Sequence, residues 1–391
     1  MIGMHFGTHF RKFFLVLAVF AVATASCSGP GGNSPIVTPK PPPTPTPTPP
    51  PTGTFAYVTN QVSNNVSAYT INAATGALTP VAGSPFAAGS SPRGMAVDPR
   101  GAFAYVANNG DSTVSAYTIN PATGALTPVA GSPFASGSNP EGVAVDPTGK
   151  FAYVGNGISA NVSAYTINAA TGALTPVAGS PFAAGTEPYE VAVDPTGKFA
   201  YVTNLSDATV SAYTINAATG ALTPVAGSPF ASGSGPYGVA VDPTGPFAYV
   251  TNGNSANVSA YTINAATGAL TPVAGSPFAT GSRPEGVAVD PTGKFAYVTN
   301  IGSASISAYT INATTGALTP VAGSPFATGS RPTRVVVDPT GTFAYVANSG
   351  SDNVSAYTIN AASGALSPVA GSPFAAGTGP FGVAVWSPPR A

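Results

Sequence analysis

Short runs of alternating apolar and polar residues occupy most of the chain, and they recur at a fixed spacing. The string FAYV begins at Phe55 and returns every 48 residues, the last time at Phe343, so that the chain holds seven copies. Runs such as VSAYTIN alternate apolar and polar side chains with a period of two, which is typical of half-buried β-strands. Neither a helical nor a heptad period occurs in the repeats. The pattern therefore predicts an all-β protein built from equivalent units.

Each copy contains four predicted strands separated by residues that favour turns. In the second copy the strands read FAYVANN from Phe103, TVSAYTIN from Thr113, GALTPVAGSPF from Gly124 and GVAVDP from Gly142. The string DPTG fits a type I turn, and NPATGAL fits a Gly-bearing hairpin loop. Because proline cannot donate a ladder hydrogen bond, the strand that contains Pro128 and Pro133 is predicted to be the outermost of its sheet.

Repeated four-stranded units favour a β-propeller, in which the sheets surround a central channel. An open β-solenoid is the competing architecture, but it needs atypical repeats at its ends. The first copy here lacks a GVAVDP strand in front of it, whereas the last copy ends on the strand GVAVW, residues 382–386. We therefore predict a seven-bladed β-propeller over residues 55–391, closed by the C-terminal strand joining the first blade.

The repeat motifs carry a resemblance to known families. The string YVTN stands at residues 57–60, 201–204, 249–252 and 297–300, and it resembles the motif of the YVTN-type propeller repeats. The strings GVAVDPTGKFAYV and TGALTPVAGSPF are similar to those of the seven-bladed lactonase family. This resemblance implies a propeller fold with GVAVD innermost, and hydrolysis of a sugar or organic-acid lactone in the channel, as by a 6-phosphogluconolactonase. Enzymes of this kind are understood to use His, Arg and Glu there.

The copies differ from one another mainly on one predicted face. The DPTG and NAATGAL turns change little, whereas the segment before each GVAVD strand, on the opposite face, changes its chemistry. We predict a ligand-binding surface there, at the channel mouth. Its candidate residues are Arg93, Glu141, Glu187, Tyr189, Glu190, Tyr237, Arg283, Glu285, Arg331, Arg334 and Phe381. Glu141, Glu187 and Glu190 are expected on one arc and the arginines on the other, which Glu285 interrupts. Neutral drift of duplicated loops is the alternative explanation.

Composition limits the partners and cofactors. Only 6% of residues are charged and the net charge is −1, so the chain has no electrostatic footprint for nucleic acid. We expect a monomer that binds a small molecule, glycan or protein at the channel mouth. Six aspartates of the DPTG-type turns are expected to bond their own backbone, and neither a metal nor a cofactor is expected. They are Asp98, Asp146, Asp194, Asp242, Asp290 and Asp338.

The N-terminal residues predict export. Arg11 and Lys12 precede the apolar run at residues 13–25, which suits a signal peptide over residues 1–26. The string TASC resembles a lipoprotein box with Cys27 as the lipidated residue, and the A-x-A site at residues 23–25 is the alternative, giving a secreted or periplasmic protein. Residues 27–54 are Gly/Ser-rich and then Pro/Thr-rich, which predicts an extended tether. We expect an extracytoplasmic envelope lipoprotein that meets the membrane only through this anchor.

These observations favour a binding or scaffold function over catalysis. The only histidines, His5 and His9, lie in the predicted signal peptide. Lactone hydrolysis would then need a carboxylate base, with Glu141, Glu190 and Glu285 as candidates and arginines as the anion clamp. The main prediction is an exported, lipid-anchored propeller that binds a ligand through the variable face. A lactone hydrolase and a structural surface-layer or adhesion repeat protein are the alternatives.

Overall fold

The computed structural model describes residues 53–388, which form seven antiparallel β-sheets in a closed ring. Each sheet is a blade, and blade 1 contains Phe55–Asn60, with blades 2 to 7 following along the chain. The predicted seven-bladed propeller is confirmed. The predictions for the signal peptide, Cys27 and the tether fall almost wholly outside the described residues. Within residues 53–388, no helix has the length and apolar character that crossing a membrane requires.

Four strand positions make up each blade, counted outward from the channel. The inner strands are Pro380–Trp386 in blade 1, then Pro92–Val97, Pro140–Val145, Pro188–Val193, Pro236–Val241, Pro284–Val289 and Pro332–Val337. The second strands are Phe55–Asn60, Phe103–Asn108, Phe151–Asn156, Phe199–Asn204, Phe247–Asn252, Phe295–Asn300 and Phe343–Asn348. The third strands are Asn65–Ile71, Thr113–Ile119, Asn161–Ile167, Thr209–Ile215, Asn257–Ile263, Ser305–Ile311 and Asn353–Ile359. A single turn of 3₁₀ helix, Ile301–Ser303, is the one helical element among the described residues.

The outer position is two short strands rather than the single one predicted. The first pieces are Leu78–Pro80, Leu126–Pro128, Leu174–Pro176, Leu222–Pro224, Leu270–Pro272, Leu318–Pro320 and Leu366–Pro368. The second pieces are Phe86–Ala87, Phe134–Ala135, Phe182–Ala183, Phe230–Ala231, Phe278–Ala279, Phe326–Ala327 and Phe374–Ala375. Both pieces pair with the third strand. Between them the chain turns, and in blade 1 the Ser84 hydroxyl accepts the Ala68 amide hydrogen at 2.9 Å. A side chain thus takes the place of a backbone partner.

The ring closes through the last strand of the chain, as predicted. Pro380–Trp386 pairs antiparallel with Phe55–Asn60, with Phe55 opposite Trp386 and Val58 opposite Val383. Trp386 occupies the position that the turn aspartate holds in the other blades. Its indole N–H donates to the Pro99 carbonyl of blade 2 at 3.2 Å, so the closing strand also fastens blade 1 to its neighbour.

Two tyrosines of each blade fasten it to its neighbours. Tyr57 of blade 1 donates to the Gly124 carbonyl of blade 2 at 2.9 Å, and Tyr117 of blade 2 donates back to the Ala87 carbonyl at 2.7 Å. Equivalent bonds occur around the ring. Gly124 has a φ of +74°, and a Cβ there would meet the Phe55 ring at 2.4 Å. The hydrophobic core therefore lies between the blades, where these aromatic rings are buried.

The invariant turns are held by their aspartates. The Asp98 carboxylate accepts the amide hydrogens of Ala102 and Phe103 at 2.6 and 2.8 Å. Four other turn aspartates accept the equivalent two amide hydrogens, and Asp242 accepts that of Thr244. All six are buried. These contacts confirm that the turn aspartates cap their own backbone.

Candidate functional site

The channel mouth is built by an irregularity at the start of the inner strands. In every blade the pairing register shifts just after the first proline, as between Pro140 and Val143. Such a bulge re-aims side chains that a regular strand would send to alternate faces. The two residues after the proline lie in this bulge, so the variable pairs of the sequence, such as Tyr189 and Glu190, stand at the channel.

The residue before that proline has a left-handed backbone in all seven blades. Its φ lies between +51° and +68° at Ser91, Asn139, Glu187, Gly235, Arg283, Arg331 and Gly379. Glycine suits this conformation, and a side chain there costs roughly 1–2 kcal/mol. Arg283, Arg331 and Glu187 thus occupy positions that backbone energetics alone would give to glycine, and all three line the mouth of the channel.

Two cavities divide the candidate residues between them. The mouth cavity has a volume of about 510 Å³ and is lined by nine of the eleven candidates. These are Arg93, Glu141, Glu187, Tyr189, Tyr237, Arg283, Glu285, Arg331 and Phe381. The lower cavity, further along the inner strands, has about 140 Å³ and is lined by Glu190, Arg334 and mainly glycine and apolar side chains. Of the three candidate bases, only Glu141 and Glu285 therefore line the mouth cavity.

Both carboxylate oxygens of Glu141 are engaged by residues of the neighbouring blade 2. Its Oε2 lies 2.5 Å from Nη1 of Arg93, and its Oε1 accepts from the Asn109 side chain at 2.9 Å. The Arg93 guanidinium also stacks over the Phe381 ring, 5.3 Å from its centroid. Burial raises the pKa of Glu141 above its ordinary value, although Arg93 acts in the opposite direction.

Arg334 connects opposite walls of the channel. Its Nη2 lies 2.6 Å from Oε2 of Glu190 on blade 4, and its Nη1 lies 3.4 Å from Oε1 of Glu285 on blade 6. The guanidinium also packs over the rings of Tyr189 and Phe381, at 5.3 Å from each centroid. Burial lowers the pKa of Arg334, but its anionic neighbours, with Glu190 foremost, outweigh burial and raise that pKa above the ordinary value.

Glu285 keeps one carboxylate oxygen free of protein partners. Its Oε1 accepts a hydrogen bond from the Tyr189 hydroxyl at 3.2 Å and faces Arg334, whereas Oε2 has no hydrogen-bond partner among residues 53–388. Glu285 is only 5% exposed, and burial raises its pKa against the lowering effect of Arg334. Tyr189 also meets the Tyr237 ring edge-to-face at a centroid distance of 5.0 Å.

Glu141, Glu187 and Glu190 lie on blades 3 and 4, whereas the candidate arginines lie on blades 2, 6 and 7, with Glu285 on blade 6. The two sets of charges nevertheless form ion pairs, Arg93 with Glu141 and Arg334 with Glu285 between adjacent blades, and Arg334 with Glu190 across the channel. Long side chains span the narrow channel, and opposite charges in a low-dielectric interior attract strongly. Within the part of the chain that the structure describes, Arg283 and Arg331 form no ion pair, so they are the mouth cations available to an anionic ligand.

Sequence reasoning missed the threonine of the YVTN motif. In blade 5 the Thr251 hydroxyl accepts the Gly238 amide hydrogen at 2.8 Å and donates to the Glu285 carbonyl of blade 6 at 2.6 Å. Thr59, Thr203 and Thr299 make the same connection to the next blade. Alanine or glycine replaces this threonine in blades 2, 3 and 7. The alternation of Thr with small residues was the available signal, because it occurs on an otherwise invariant strand.

Loop residues between the second and third strands also line the mouth. They are Gln61, Gly157, Ile158, Leu205, Ile301 and Ser349. Ile158 is 75% exposed, which is unusual for a large apolar side chain at a rim. Among residues 53–388, no cluster of three or more His, Cys, Asp or Glu side chains is arranged to hold a metal ion. The ionisable functional groups that line the mouth cavity are carboxylates, guanidinium groups and phenols.

Comparison with known proteins gives one family. The family model described as lactonase, seven-bladed β-propeller, matches residues 50–187 and 182–380. A candidate 6-phosphogluconolactonase from Bacteroides fragilis superposes with a TM-score of 0.75 at 21% identity, covering 86% of this chain and 98% of its own. The periplasmic gluconolactonase of Pseudomonas aeruginosa gives a TM-score of 0.72 at 19% identity, covering 86% and 100%.

A Lactobacillus plantarum protein gives a TM-score of 0.71 at 21% identity and covers 86% of this chain and 99% of its own. Identities this low support a shared fold and nothing finer. No curated protein sequence matches the chain significantly.

Proposed function

Because this chain belongs to the seven-bladed β-propeller lactonase family, we propose that it hydrolyses a lactone in its mouth cavity, with Glu285 as the general base. The observation that carries the assignment is the carboxylate of Glu285, which is buried at the cavity, anchored through Oε1 and free at Oε2. The family therefore favours the lactone hydrolase over the binding-only function expected from composition.

Glu285 suits the role better than the other two candidate bases. Glu141 has both oxygens occupied, by Arg93 and Asn109, so it can accept a water proton only by breaking a contact. Glu190 lines the lower cavity rather than the mouth. Burial raises the pKa of all three glutamates toward the working pH, where a base works best, so the free oxygen at the mouth cavity is what distinguishes Glu285.

The proposed reaction needs only groups at the mouth. Oε2 of Glu285 accepts a proton from water as the water oxygen attacks the lactone carbonyl carbon. The carbonyl oxygen becomes an oxyanion, which the arginine side chains that line the mouth cavity would stabilise. The ring carbon–oxygen bond then breaks, and the alkoxide that leaves takes the proton from Glu285, giving the open hydroxy acid. Arg283 and Arg331, which lack ion-pair partners among the described residues, would hold an anionic group of the substrate.

A lactone panel tests the proposal directly. The purified full chain is assayed with sugar lactones that carry or lack a phosphate or carboxylate, and ring opening is followed by acid release. Wild type should turn over at least one of them, and E285Q should lower kcat about a hundredfold or more. Lys198→Gln, which alters a charge on the opposite, invariant-turn face, is the matched control. Full activity of E285Q would overturn the assignment of the base.

Ligand binding without turnover is the second candidate function. It is favoured by the ion pairs of the site, which engage both oxygens of Glu141 and one oxygen of Glu190 and so restrict two of the three candidate bases. Calorimetry with the same lactones and their open acids separates the two. Binding of both forms with no acid release supports a binding protein, and a chain that neither binds nor reacts supports the structural-repeat alternative.

We also propose that the propeller is exported and anchored through a lipid on Cys27, on the strength of the apolar run and the TASC string. Cys27→Ser is the test, with metabolic fatty-acid labelling and fractionation as the readouts. Loss of label and release of the protein from membranes are expected. A labelled or membrane-bound Cys27→Ser variant would contradict the anchor, and unlabelled wild type would support plain signal cleavage.

A further inference from the structure

One position of the repeat is reserved for glycine by close packing. The residue two places after the inner-strand proline is glycine in five blades: Gly94, Gly142, Gly238, Gly286 and Gly382. A Cβ at any of them would lie only 2.3–2.8 Å from a backbone oxygen of the next blade. Real Cβ atoms do not approach so closely, so a side chain here requires the backbone to shift.

The two blades that break this rule carry opposite charges. Blade 4 has Glu190 and blade 7 has Arg334 at the glycine position. Blades 4 and 7 are three steps apart in a ring of seven, and their side chains meet at 2.6 Å between Oε2 and Nη2. Both line the lower cavity, so the pair lies between that cavity and the mouth. Two separate departures from the template thus produce one contact.

Arg334 does not contact its two carboxylate partners, Glu190 and Glu285, at equal distances. Oε2 of Glu190 is enclosed, and Nη2 of Arg334 is its only close partner among residues 53–388. Arg334 lies nearer to Glu190, at 2.6 Å, than to Glu285, at 3.4 Å. The guanidinium of Arg334 is therefore shared by two carboxylates, and its ion pair with Glu190 is the shorter of the two.

We propose that Arg334 is a positioning residue for Glu285 and that Glu190 limits its hold, so that the cross-channel pair sets the basicity of the reacting carboxylate. This inference rests on the proposed function, because it assigns a role to residues around the same base. An undivided ion pair would make Glu285 a weaker base by stabilising its ionised form. Complete loss of Arg334 would leave the carboxylate without its nearest cation.

The other groups facing Glu285 come from several blades. The Tyr189 hydroxyl of blade 4 donates a hydrogen bond to Oε1 of Glu285. Arg93 of blade 2 and Arg283, which lies on blade 6 with Glu285, act on the carboxylate at longer range. Burial raises the pKa of Glu285, and of these groups Arg334 lowers it most. Changing Arg334 or Glu190 should therefore move this pKa while the remaining neighbours stay in place.

Carbon-13 NMR of the full chain labelled at glutamate Cδ measures the effect without relying on activity. The chain contains four glutamates, Glu141, Glu187, Glu190 and Glu285, so four signals are assigned with single Glu→Gln variants. Relative to wild type, Arg334→Gly should raise the pKa of Glu285, because its nearest cation is lost. Glu190→Gly should lower it, because Arg334 is then free to turn to Glu285. A merely structural role would not produce shifts of opposite sign.

Glycine is the safest replacement because five blades already carry it at this position. The double variant Glu190→Gly/Arg334→Gly restores the template, and near-wild-type melting would show that both residues are dispensable for folding. If either single variant unfolds, Glu190→Gln and Arg334→Gln replace it, since both remove the charge, and they should shift the pKa in the same directions. Unchanged or like-signed shifts of the Glu285 signal would overturn the proposal.

Kinetics separate this proposal from the proposed function. If the chain opens lactones, Arg334→Gly should lower kcat about tenfold or more with KM changed less, and the midpoint of the pH–rate profile should move with the NMR pKa. If no lactone is opened, the NMR shifts still decide whether Arg334 and Glu190 act on Glu285. Opposite NMR shifts without any movement of the pH–rate midpoint would assign another base.

Discussion

The hydroxyl of Tyr189 donates a hydrogen bond to Oε1 of Glu285 at 3.2 Å, across a sequence separation of 96 residues. The two residues occupy the same template position in blades 4 and 6, so a repeat that places equivalent residues around a ring also aims them at one another. This bond fixes one oxygen of the carboxylate and stabilises its ionised form. Glu285 thereby keeps its other oxygen, Oε2, free for the proposed proton transfer.

Removing this hydroxyl should make Glu285 harder to ionise. Tyr189→Phe keeps the ring packed on Tyr237 and Arg334 but loses the hydrogen bond that lowers the pKa of Glu285. The pH–rate midpoint should move upward, and kcat should fall about threefold to tenfold, in line with a hydrogen bond to a charged group. Tyr237→Phe, which does not bond Glu285, is the control. An unchanged midpoint in Tyr189→Phe would mean that the bond is not maintained in solution.

The ionisation of Glu285 should also appear in the pH dependence of stability. Because burial raises its pKa above the ordinary value of 4.5, the folded state binds this proton more tightly than the unfolded state. The wild type then loses stability as the pH rises through the interval between the two pKa values. E285Q cannot ionise, so its melting temperature should exceed that of wild type by a margin that grows from acidic to neutral pH. A margin that shrinks with pH would show that the ion pair with Arg334 outweighs burial.

Replacing either of two arginines at the channel mouth by glycine should raise the stability of the fold and weaken ligand binding. Arg283 and Arg331 have φ values of +51° and +52°, and glycine occupies this position in blades 1 and 5. Arg283→Gly and Arg331→Gly should each stabilise the fold by roughly 1 kcal/mol by relieving that strain. The same variants should weaken binding of a phosphorylated or carboxylated lactone about tenfold, measured by calorimetry. Stabilisation without any loss of binding would leave the arginines without a role in recognition.

The YVTN threonine should contribute to stability in every blade that has it. Thr251→Val leaves the Gly238 amide hydrogen and the Glu285 carbonyl without their hydroxyl partner, so about 1–3 kcal/mol of the free energy of unfolding should be lost. Thr59→Val removes the equivalent contact to the Arg93 carbonyl and should cost a similar amount. Only Thr251→Val should also change the pH–rate midpoint, because only Thr251 holds the backbone of Glu285. Equal kinetic effects of the two variants would point to general loosening of the ring.

Trp386 should be required for ring closure. It is 6% exposed, and its ring fills the space above Gly101. Trp386→Ala should lower the free energy of unfolding by about 3–5 kcal/mol, measured by denaturant titration, because a buried aromatic side chain is deleted. Trp386→Phe keeps most of the packing and should lose mainly the hydrogen bond to Pro99, about 1 kcal/mol. A Trp386→Ala variant as stable as wild type would contradict the importance of this contact.

The sequence predicted the fold well because the repeat expresses it seven times. The FAYV period set the number of blades, and the missing strand before Phe55 predicted closure by the strand that ends at Trp386. The outer position was predicted less well, because GALTPVAGSPF reads as one apolar run. The use of the Ser84 hydroxyl in place of a backbone partner depends on local geometry that the pattern of apolar and polar residues does not encode.

The candidate site could be predicted in its residues but not in its contacts. Variation between copies identified the residues that line the mouth, since packing holds the rest of the repeat constant. The pairing of Arg334 with Glu190 could not be predicted, because a bulge changes side-chain direction and the partners lie on opposite walls. The same holds for Tyr189 and Glu285, whose contact depends on the width of the channel.

The closing strand also sets the order in which the molecule can be completed. The Gly382 amide donates to the Thr59 hydroxyl across 323 residues of sequence, so blade 1 cannot be completed until almost the whole repeat region is present. Such distant contacts make folding slow. Phe381, which packs on both Arg93 and Arg334, arrives on that same strand. Partly folded molecules with six complete blades would therefore lack both a complete blade 1 and a finished mouth, and the proposed activity would appear only with the final step of folding.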